Sequence, residues 1–179
     1  IEACLVGSEM CIRDSSSGGP GDYVWDDFVY HAAQNLLKEG IGVMYIDNFC
    51  SRGARTVWRD QSKVPLINGA IDALMALKFL QSHPRSNGKF GTTGHSRGGT
   101  NSFFMADVKL TSKFLGGTKG FDAILPEAAE CRMAGFFAEP ELTSNTTMLV
   151  VHGGADDYTL AKFCKEHAER IKAPPGKVK

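Results

Sequence analysis

Short, continuously apolar runs alternate along the chain with segments whose apolar residues recur at helical spacing. Asp26-Asp27 followed by Phe28, Ala32, Leu36 and Gly40 predicts a capped helix closed by a C-terminal glycine. The run from Ile41 to Asp47 is apolar up to its acidic last residue, which suits a strand buried on both faces. A polar loop from Asn48 to about Lys63 follows. Leu66, Ala70, Ala73, Leu74, Leu77 and Leu80 then repeat on one helical face up to Ser82. Asn87-Gly88 marks a turn into a short strand over Lys89 to Thr93. Residues 123–126 and 148–151 read as two further strands, and 97–108 and 160–171 as helices. Strands alternating with helices predict a parallel sheet covered on both faces, an α/β fold. The sequence has no internal repeat and no low-complexity tract beyond Ser15 to Gly19.

The first fifteen residues stand apart from this pattern. Met10-Cys11-Ile12-Arg13-Asp14 back-translates to ATG-TGT-ATA-AGA-GAC, which resembles the mosaic end of sequencing-library transposase adapters. Cys4 to Glu9 resembles the read-through beside it. Residues 1–15 are therefore read as an adapter-derived artefact outside the fold, and 16–179 as a partial domain. On that reading the natural N-terminus, with any signal peptide, lies outside the sequence, and the compartment is not legible.

Composition narrows the function classes. The 179 residues are 42% hydrophobic and 22% charged, with 20 basic and 20 acidic side chains. This is an ordinary globular balance in one domain. No long charge run is present, so the electrostatic footprint of a nucleic-acid binder is missing. The longest apolar runs fall far short of a bilayer span, which argues against a transmembrane helix. Five Cys at irregular spacing offer neither a CxxC pair nor a disulfide framework. Without the first fifteen residues three remain, Cys50, Cys131 and Cys164, and a reducing compartment is compatible with them.

The candidate chemistry starts at Gly94-His-Ser-Arg-Gly-Gly99, a G-x-S-x-G motif between an expected strand and an expected helix. In that setting side chains at 94 and 98 would collide with neighbouring backbone, so glycine keeps a strained serine conformation accessible. Ser96 is then presented at a helix N-terminus, where dipole and N–H groups favour developing negative charge. The Arg97 backbone N–H supplies half of an oxyanion hole. His95 points away from Ser96 at such a turn and reads as a packing residue. Downstream, Met148 to Asp157 is a strand running into a glycine turn with two acids. A carboxylate at a strand end can orient and stabilise a catalytic imidazole, and Ser before Asp is the chain order expected. Asp156 is the favoured acid and Asp157 the second choice. The alternative is that both acids cap the following helix. His152 reads as structural and His167 as part of a solvated helix face, while His31 and His83 read as surface or packing residues. The pairs Glu127/Glu130 and His152/Asp156 lack the ligand count and spacing of a zinc site, so neither metal nor cofactor is called for.

Taken together, Tyr45 to Gly53, the helix to Leu80, Gly94-His-Ser-Arg-Gly98 and His152-Gly-Gly-Ala-Asp-Asp157 make the chain resemble the dienelactone hydrolase-like branch of the α/β-hydrolases, from about Ser16 to Lys179. The resemblance implies an α/β-hydrolase fold truncated at both ends and a serine hydrolase of carboxylic esters or lactones acting through an acyl-enzyme. It places the Asp-x-Phe-x-x-Arg-Gly stretch of Asp47 to Gly53 near the active site. Arg52 could there take a substrate carboxylate, with a loop salt bridge as the alternative. It also implies that Ser17, in a truncated oxyanion loop, gives the second oxyanion N–H. Dienelactone hydrolases proper use Cys as nucleophile, and Ser96 instead points to a broader ester or peptide hydrolase. The family's catalytic His follows its last strand, and no residue here matches it. The 179-residue chain is therefore expected to be nearly inactive, and an unfinished sheet edge to make it aggregation-prone. Two other readings are a prolyl-oligopeptidase-like peptidase domain and a non-catalytic binding module of the same fold. The expected partner is a small ester or lactone, with no nucleic acid and no membrane; the oligomeric state is not legible. Glu127 and Glu130 read as pocket-lining or solvated. Phe49, Trp58, Phe136 and Phe137 read as pocket wall or core.

Overall fold

The computed structural model describes residues 9–14, 23–54, 57, 60–134 and 146–170. Its strands are β1 (Glu9–Asp14), β2 (Ile41–Ile46), β3 (Phe90–His95), β4 (Ala123–Glu127) and β5 (Thr147–Met148). They pair in parallel throughout, in the order β2-β1-β3-β4-β5. Parallel neighbours need crossover connections, and helices supply them. These are α1 (Tyr23–Lys38), α2 (Leu66–Gln81), α3 (Arg97–Met105), α4 (Val108–Leu115), α5 (Cys131–Ala134) and α6 (Ala161–Arg170). The expected α/β fold with a parallel sheet is the one observed.

The core follows from the periodicities. Val43 and Met44 are both buried although they point to opposite faces of β2, as the continuous apolar run predicts. Ala70, Ala73, Leu74, Leu77 and Leu80 form the buried stripe of α2. They pack with Met44, Phe90, Ile124 and Met148 from the sheet and with Phe103, Phe104 and Met105 of α3 in one cluster. Truncating a residue at the centre of such a cluster, Leu77 for example, costs about 2–5 kcal/mol.

Several boundaries differ from expectation for local reasons. Helix α1 starts at Tyr23, so Asp26 and Asp27 lie inside it and do not cap it. The expected helix over 97–108 is two helices. Asp107 ends the first and caps the second, its carboxylate accepting the Leu110 N–H at 2.8 Å, and Gly116 closes α4 at φ 63°. Strand β3 continues through Gly94 to His95, whereas β5 is only two residues long. Beyond it Val151 makes a single parallel bridge to Glu127, and Leu149 and Val151 are each 48% exposed.

The sequence reading left residues 1–15 out of the fold, yet residues 9–14 fill the slot between β2 and β3. Met10 to Asp14 lie opposite Gly42 to Ile46 on one side and Phe90 to Gly94 on the other. The reason is that β2 and β3 are not neighbours in this topology, and a strand must join them. Backbone pairing is indifferent to side-chain identity. The placement of this segment as a strand and its adapter resemblance are therefore separate matters.

A second departure is covalent. Cys131, opening α5, and Cys164, in α6, form a disulfide across 33 residues of sequence. Sequence spacing could not show it, because the pair meets only after β5 and the acid-bearing turn have been laid down beside β4. Closing a loop of that length is worth about 3–4 kcal/mol on the chain-entropy account. Disulfides of this kind persist in oxidising compartments.

The third departure is His167, which the sequence placed on a solvated face. It is 1% exposed, its ring edge-on to Phe103 with centroids 4.9 Å apart, and neither ring nitrogen has a hydrogen-bond partner among the described residues. Cys164 and His167 are one turn apart and share the inward stripe of an otherwise polar helix. Burial, with Arg170 adding repulsion, pushes the imidazole pKa down to about 4. Because the folded value lies below the unfolded one, the unfolded chain takes up the proton first. The stability that neutral His167 permits is present above about pH 6.5 and is lost as the pH falls toward 4. His167→Leu should remove that slope. In urea unfolding, the wild type should lose about 2–3 kcal/mol more than the variant between pH 7 and 4.5. Equal losses in the two proteins would show that His167 does not resist protonation.

Candidate active site

The strand order reverses direction between β1 and β3, and in open parallel sheets ligands bind at the carboxyl ends of the strands beside such a reversal. Ser96 stands at that place. It is the single residue between β3 and α3, with φ 54° and ψ −110°. A side chain in that region costs about 1–3 kcal/mol and persists only where the surroundings fix it. Here they do. The Ser96 N–H donates to Glu127 O of β4 at 2.8 Å, and Ser96 O accepts the Thr100 N–H at 3.0 Å, opening α3. A Cβ on Gly94 would lie 2.5 Å from the Gly98 carbonyl carbon, and one on Gly99 would lie 2.5 Å from Glu127 O. The contact of Gly94 with Gly98 was expected from the motif. Gly99, which lets α3 lie against the end of β4, was not singled out, although its place directly after the motif was the available signal.

Arg97 occupies the first helical position, where a backbone N–H points out of the helix end. Its side chain turns inward and is buried, donating to Val64 O with its guanidinium 6.0 Å from the Phe49 ring centroid. Phe49 is fully buried with Ala54, Val57 and Val64 in a small second core. The Asp47 carboxylate holds this loop in shape by accepting the Phe49 N–H at 2.8 Å. Phe49 is therefore core, and the stretch from Asp47 to Gly53 packs beside the elbow helix.

Arg52 is engaged within the chain. Its two Nη groups donate to the Asp72 carboxylate of α2 at 2.6 and 2.7 Å, and Nη1 also reaches Asn48 O at 2.7 Å. This is the loop salt bridge set beside substrate binding in the sequence reading, and it braces the loop against α2. Ser17, Trp58, Phe136 and Phe137 lie outside the described residues.

The acid loop leaves the sheet two strands from the elbow. His95 lies opposite Glu127, and Glu127 opposite Val151, so with strands ~4.8 Å apart the loop after Val151 starts about 10 Å from the end of β3. Within it Asp156 is half-buried and Asp157 exposed. Asp156 Oδ1 accepts the N–H groups of Tyr158 and Thr159, both at 2.9 Å, and Oδ2 accepts the Thr159 hydroxyl at 2.7 Å. The Thr159 hydroxyl and backbone bonds are the main reason its pKa lies below the ordinary carboxylate value. Asp156 thus shapes its own turn, ahead of α6, and is held ionised there.

The remaining candidates are placed as follows. His152 points its Nδ1 to Gly153 O at 3.3 Å and its Nε2 to Ala129 O at 3.4 Å, the structural role expected of it. Its Nδ1 is 4.0 Å from Asp156 Oδ2. Glu127 accepts the Thr93 hydroxyl at 2.6 Å, and Glu130 pairs with Arg132 at 2.7 Å. His95 is half-buried at the end of β3, His31 is exposed on α1, and His83 accepts the Arg85 N–H beyond α2. No group of three or more metal-ligating side chains occurs among the described residues. None of their helices is long and apolar enough to cross a membrane.

No protein-family model matches the chain, and no curated protein matches it in sequence. Solved structures do resemble it. A dienelactone hydrolase from Anabaena variabilis superposes with a TM-score of 0.68 at 15% identity, covering 93% of this chain and 71% of that one. An esterase from Pyrococcus furiosus gives 0.62 at 15% identity, over 96% and 72% of the two chains. An α/β hydrolase from a Medee basin deep-sea metagenome library gives 0.59 at 18% identity, over 93% and 66%. At these identities the likeness is one of fold, and the fold is that of the α/β hydrolases.

The strained conformation of Ser96 has a measurable consequence. Ser96→Gly removes both the hydroxyl and the steric penalty of positive φ, whereas Ser96→Ala removes only the hydroxyl. The glycine variant should be more stable than the alanine variant by about 1 kcal/mol, or roughly 2–4 °C in Tm, after allowing for the greater freedom of glycine in the unfolded chain. An alanine variant as stable as the glycine variant would mean that the elbow is relaxed.

Proposed function

We propose that this chain carries the nucleophile and acid of a serine hydrolase acting on small carboxylic esters or lactones. The observation that carries the reading is the backbone of Ser96, held at positive φ on a one-residue turn between β3 and α3. A protein has little reason to maintain such a turn unless the side chain it presents is used. The structural resemblance to a dienelactone hydrolase and an esterase supports the same class.

In this mechanism the Ser96 hydroxyl attacks the ester carbonyl while a histidine takes its proton. The tetrahedral oxyanion is stabilised by the Arg97 N–H at the positive end of α3 and by the Ser17 N–H. Collapse expels the alcohol, protonated by the same histidine, and leaves an acyl group on Ser96. Water activated by that histidine then releases the acid. Asp156, kept ionised by its turn, orients the imidazole and stabilises its protonated form. All five histidines of the sequence have other places in the fold, described above. None of them is assigned as that base in this reading. Because Arg52 is tied to Asp72, substrate charge is not read by Arg52 in this proposal.

The test uses the purified protein and short-chain p-nitrophenyl esters. Ser96→Ala and Asp156→Asn should each lower kcat by 10³-fold or more on the order of triad deletions, and a fluorophosphonate should label Ser96 alone. Undiminished turnover in Ser96→Ala would overturn the reading.

A further inference from the structure

The short segment from Glu127 to Cys131 touches both halves of the candidate site. On the elbow side, Glu127 O accepts the Ser96 N–H, and the Glu130 N–H donates to the Thr100 hydroxyl at 2.9 Å. On the acid side, the Ala128 N–H donates to Val151 O at 2.9 Å, and Ala128 O accepts the Thr159 hydroxyl at 3.1 Å. That same hydroxyl donates to Asp156 Oδ2, and with one proton it serves the two acceptors alternately. Ala129 O faces both His152 Nε2 and the Cys164 sulfur, each at 3.4 Å. Ala128 sits at φ 46°, a conformation that a non-glycine residue keeps only under constraint from both sides. Immediately after this segment comes Cys131, joined to Cys164 of α6, and both cysteines are buried.

We infer that the Cys131–Cys164 disulfide is a positioning device for the acid loop, and that its reduction loosens the turn of Asp156 while leaving the Ser96 elbow in place. The disulfide clamps the end of the 127–131 segment to α6, and the acid loop is the stretch of chain between Val151 and that helix. With both flanks fixed, the bonds from Thr159 to Ala128 O and Asp156 close in one geometry. The elbow depends chiefly on Glu127 O and on the close approaches at Gly94 and Gly99, on the far side of Ala128 from the bridge, and a single bond, from the Glu130 N–H to the Thr100 hydroxyl, reaches α3 from the bridge side. In the reduction a phosphine supplies two electrons, with water giving two protons and the oxide oxygen, or two thiol groups supply both the electrons and the protons. The S–S bond breaks, two S–H groups form, and the reductant is oxidised to its disulfide or phosphine oxide.

The importance of Asp156 to catalysis rests on the hydrolase reading, but the measurement needs no turnover. Loop closure by a disulfide acts on the unfolded chain, so its loss raises the exchange of all globally protected amides by one common factor. A positioning role adds a local factor on top of it. Amide hydrogen exchange is therefore followed in the folded protein before and after reduction with a phosphine, and in the Cys131→Ala/Cys164→Ala variant. Thiol labelling of the denatured, unreduced protein should first leave Cys131 and Cys164 unlabelled. The amides of Tyr158 and Thr159, which donate to Asp156, should then accelerate at least about tenfold beyond the factor common to Leu74 and Leu77 of α2. The Ser96 and Thr100 amides should follow the common factor. Labelling of Cys131 and Cys164 before reduction, or loop amides that follow α2, would overturn the inference. Should the double variant not fold, reduction of the wild type gives the same comparison.

Discussion

The hydrogen bond from the Ser96 N–H to Glu127 O, 2.8 Å long, fixes how α3 meets the sheet, and most of the candidate site depends on that meeting. It can form only if α3 begins directly over the end of β4. The helix can begin there only if no side chain stands at Gly99, where a Cβ would come within 2.5 Å of the same carbonyl. Once the bond and the approach are made, Ser96 has no relaxed conformation left to it. Its hydroxyl is then carried on a closely packed turn, ahead of a helix buried along its whole length. Rigidity of this kind is what presenting a weak nucleophile requires, since a small displacement of an attacking oxygen is costly in rate.

The same end of β4 passes the constraint on. Glu127 belongs to the elbow through its carbonyl and to the sheet through its pairing with His95 and Val151, and the next residue, Ala128, already bonds the acid loop. Ser96 and the loop of Asp156 are thus related through the end of one strand and the residue after it. Arg97 braces the opposite side of the elbow by reaching the small core around Phe49, and Arg52 ties that loop to α2 through Asp72. Both arginines of these motifs thus have structural partners. In a packed α/β domain a planar cation finds carbonyls, carboxylates and rings of the chain itself.

What the sequence revealed and what it hid divides along physical lines. Strand β2 and helix α2 were legible because their burial is written in local periodicity, and the elbow because its glycines and serine occupy consecutive positions. Asp156 was legible as an acid at a strand end; its bonds to Tyr158 and Thr159 were not, since they depend on the shape of the turn. The pairing of Cys131 with Cys164 and the burial of His167 were hidden for a common reason. Both depend on which face of the polar helix α6 turns inward, and the sequence Lys-Phe-Cys-Lys-Glu-His favours no single face strongly. Only the position of α6 beside α3 and α5 decides it. For Arg52 the sequence offered a loop salt bridge as one of two roles, but not its partner, Asp72, which stands 20 positions away.

Strand β1 sets a limit on what such a fold can say about its own sequence. The slot between β2 and β3 lies where the sheet reverses direction, and a chain with this connectivity must fill it for the two sides to share hydrogen bonds. A parallel ladder asks of the filler only a free N–H and C=O at each position and no proline in the middle. Residues 9–14 meet that demand whatever their origin. The slot also determines where the chain emerges, because Asp14 lies opposite Gly94, two residues before Ser96. The carboxyl end of β1 therefore lies beside the elbow. The strand itself can be almost any short segment without proline. A site of this architecture is consequently better judged from Ser96, Glu127 and Asp156, whose positions depend on particular side chains, than from the central strand that holds them in register.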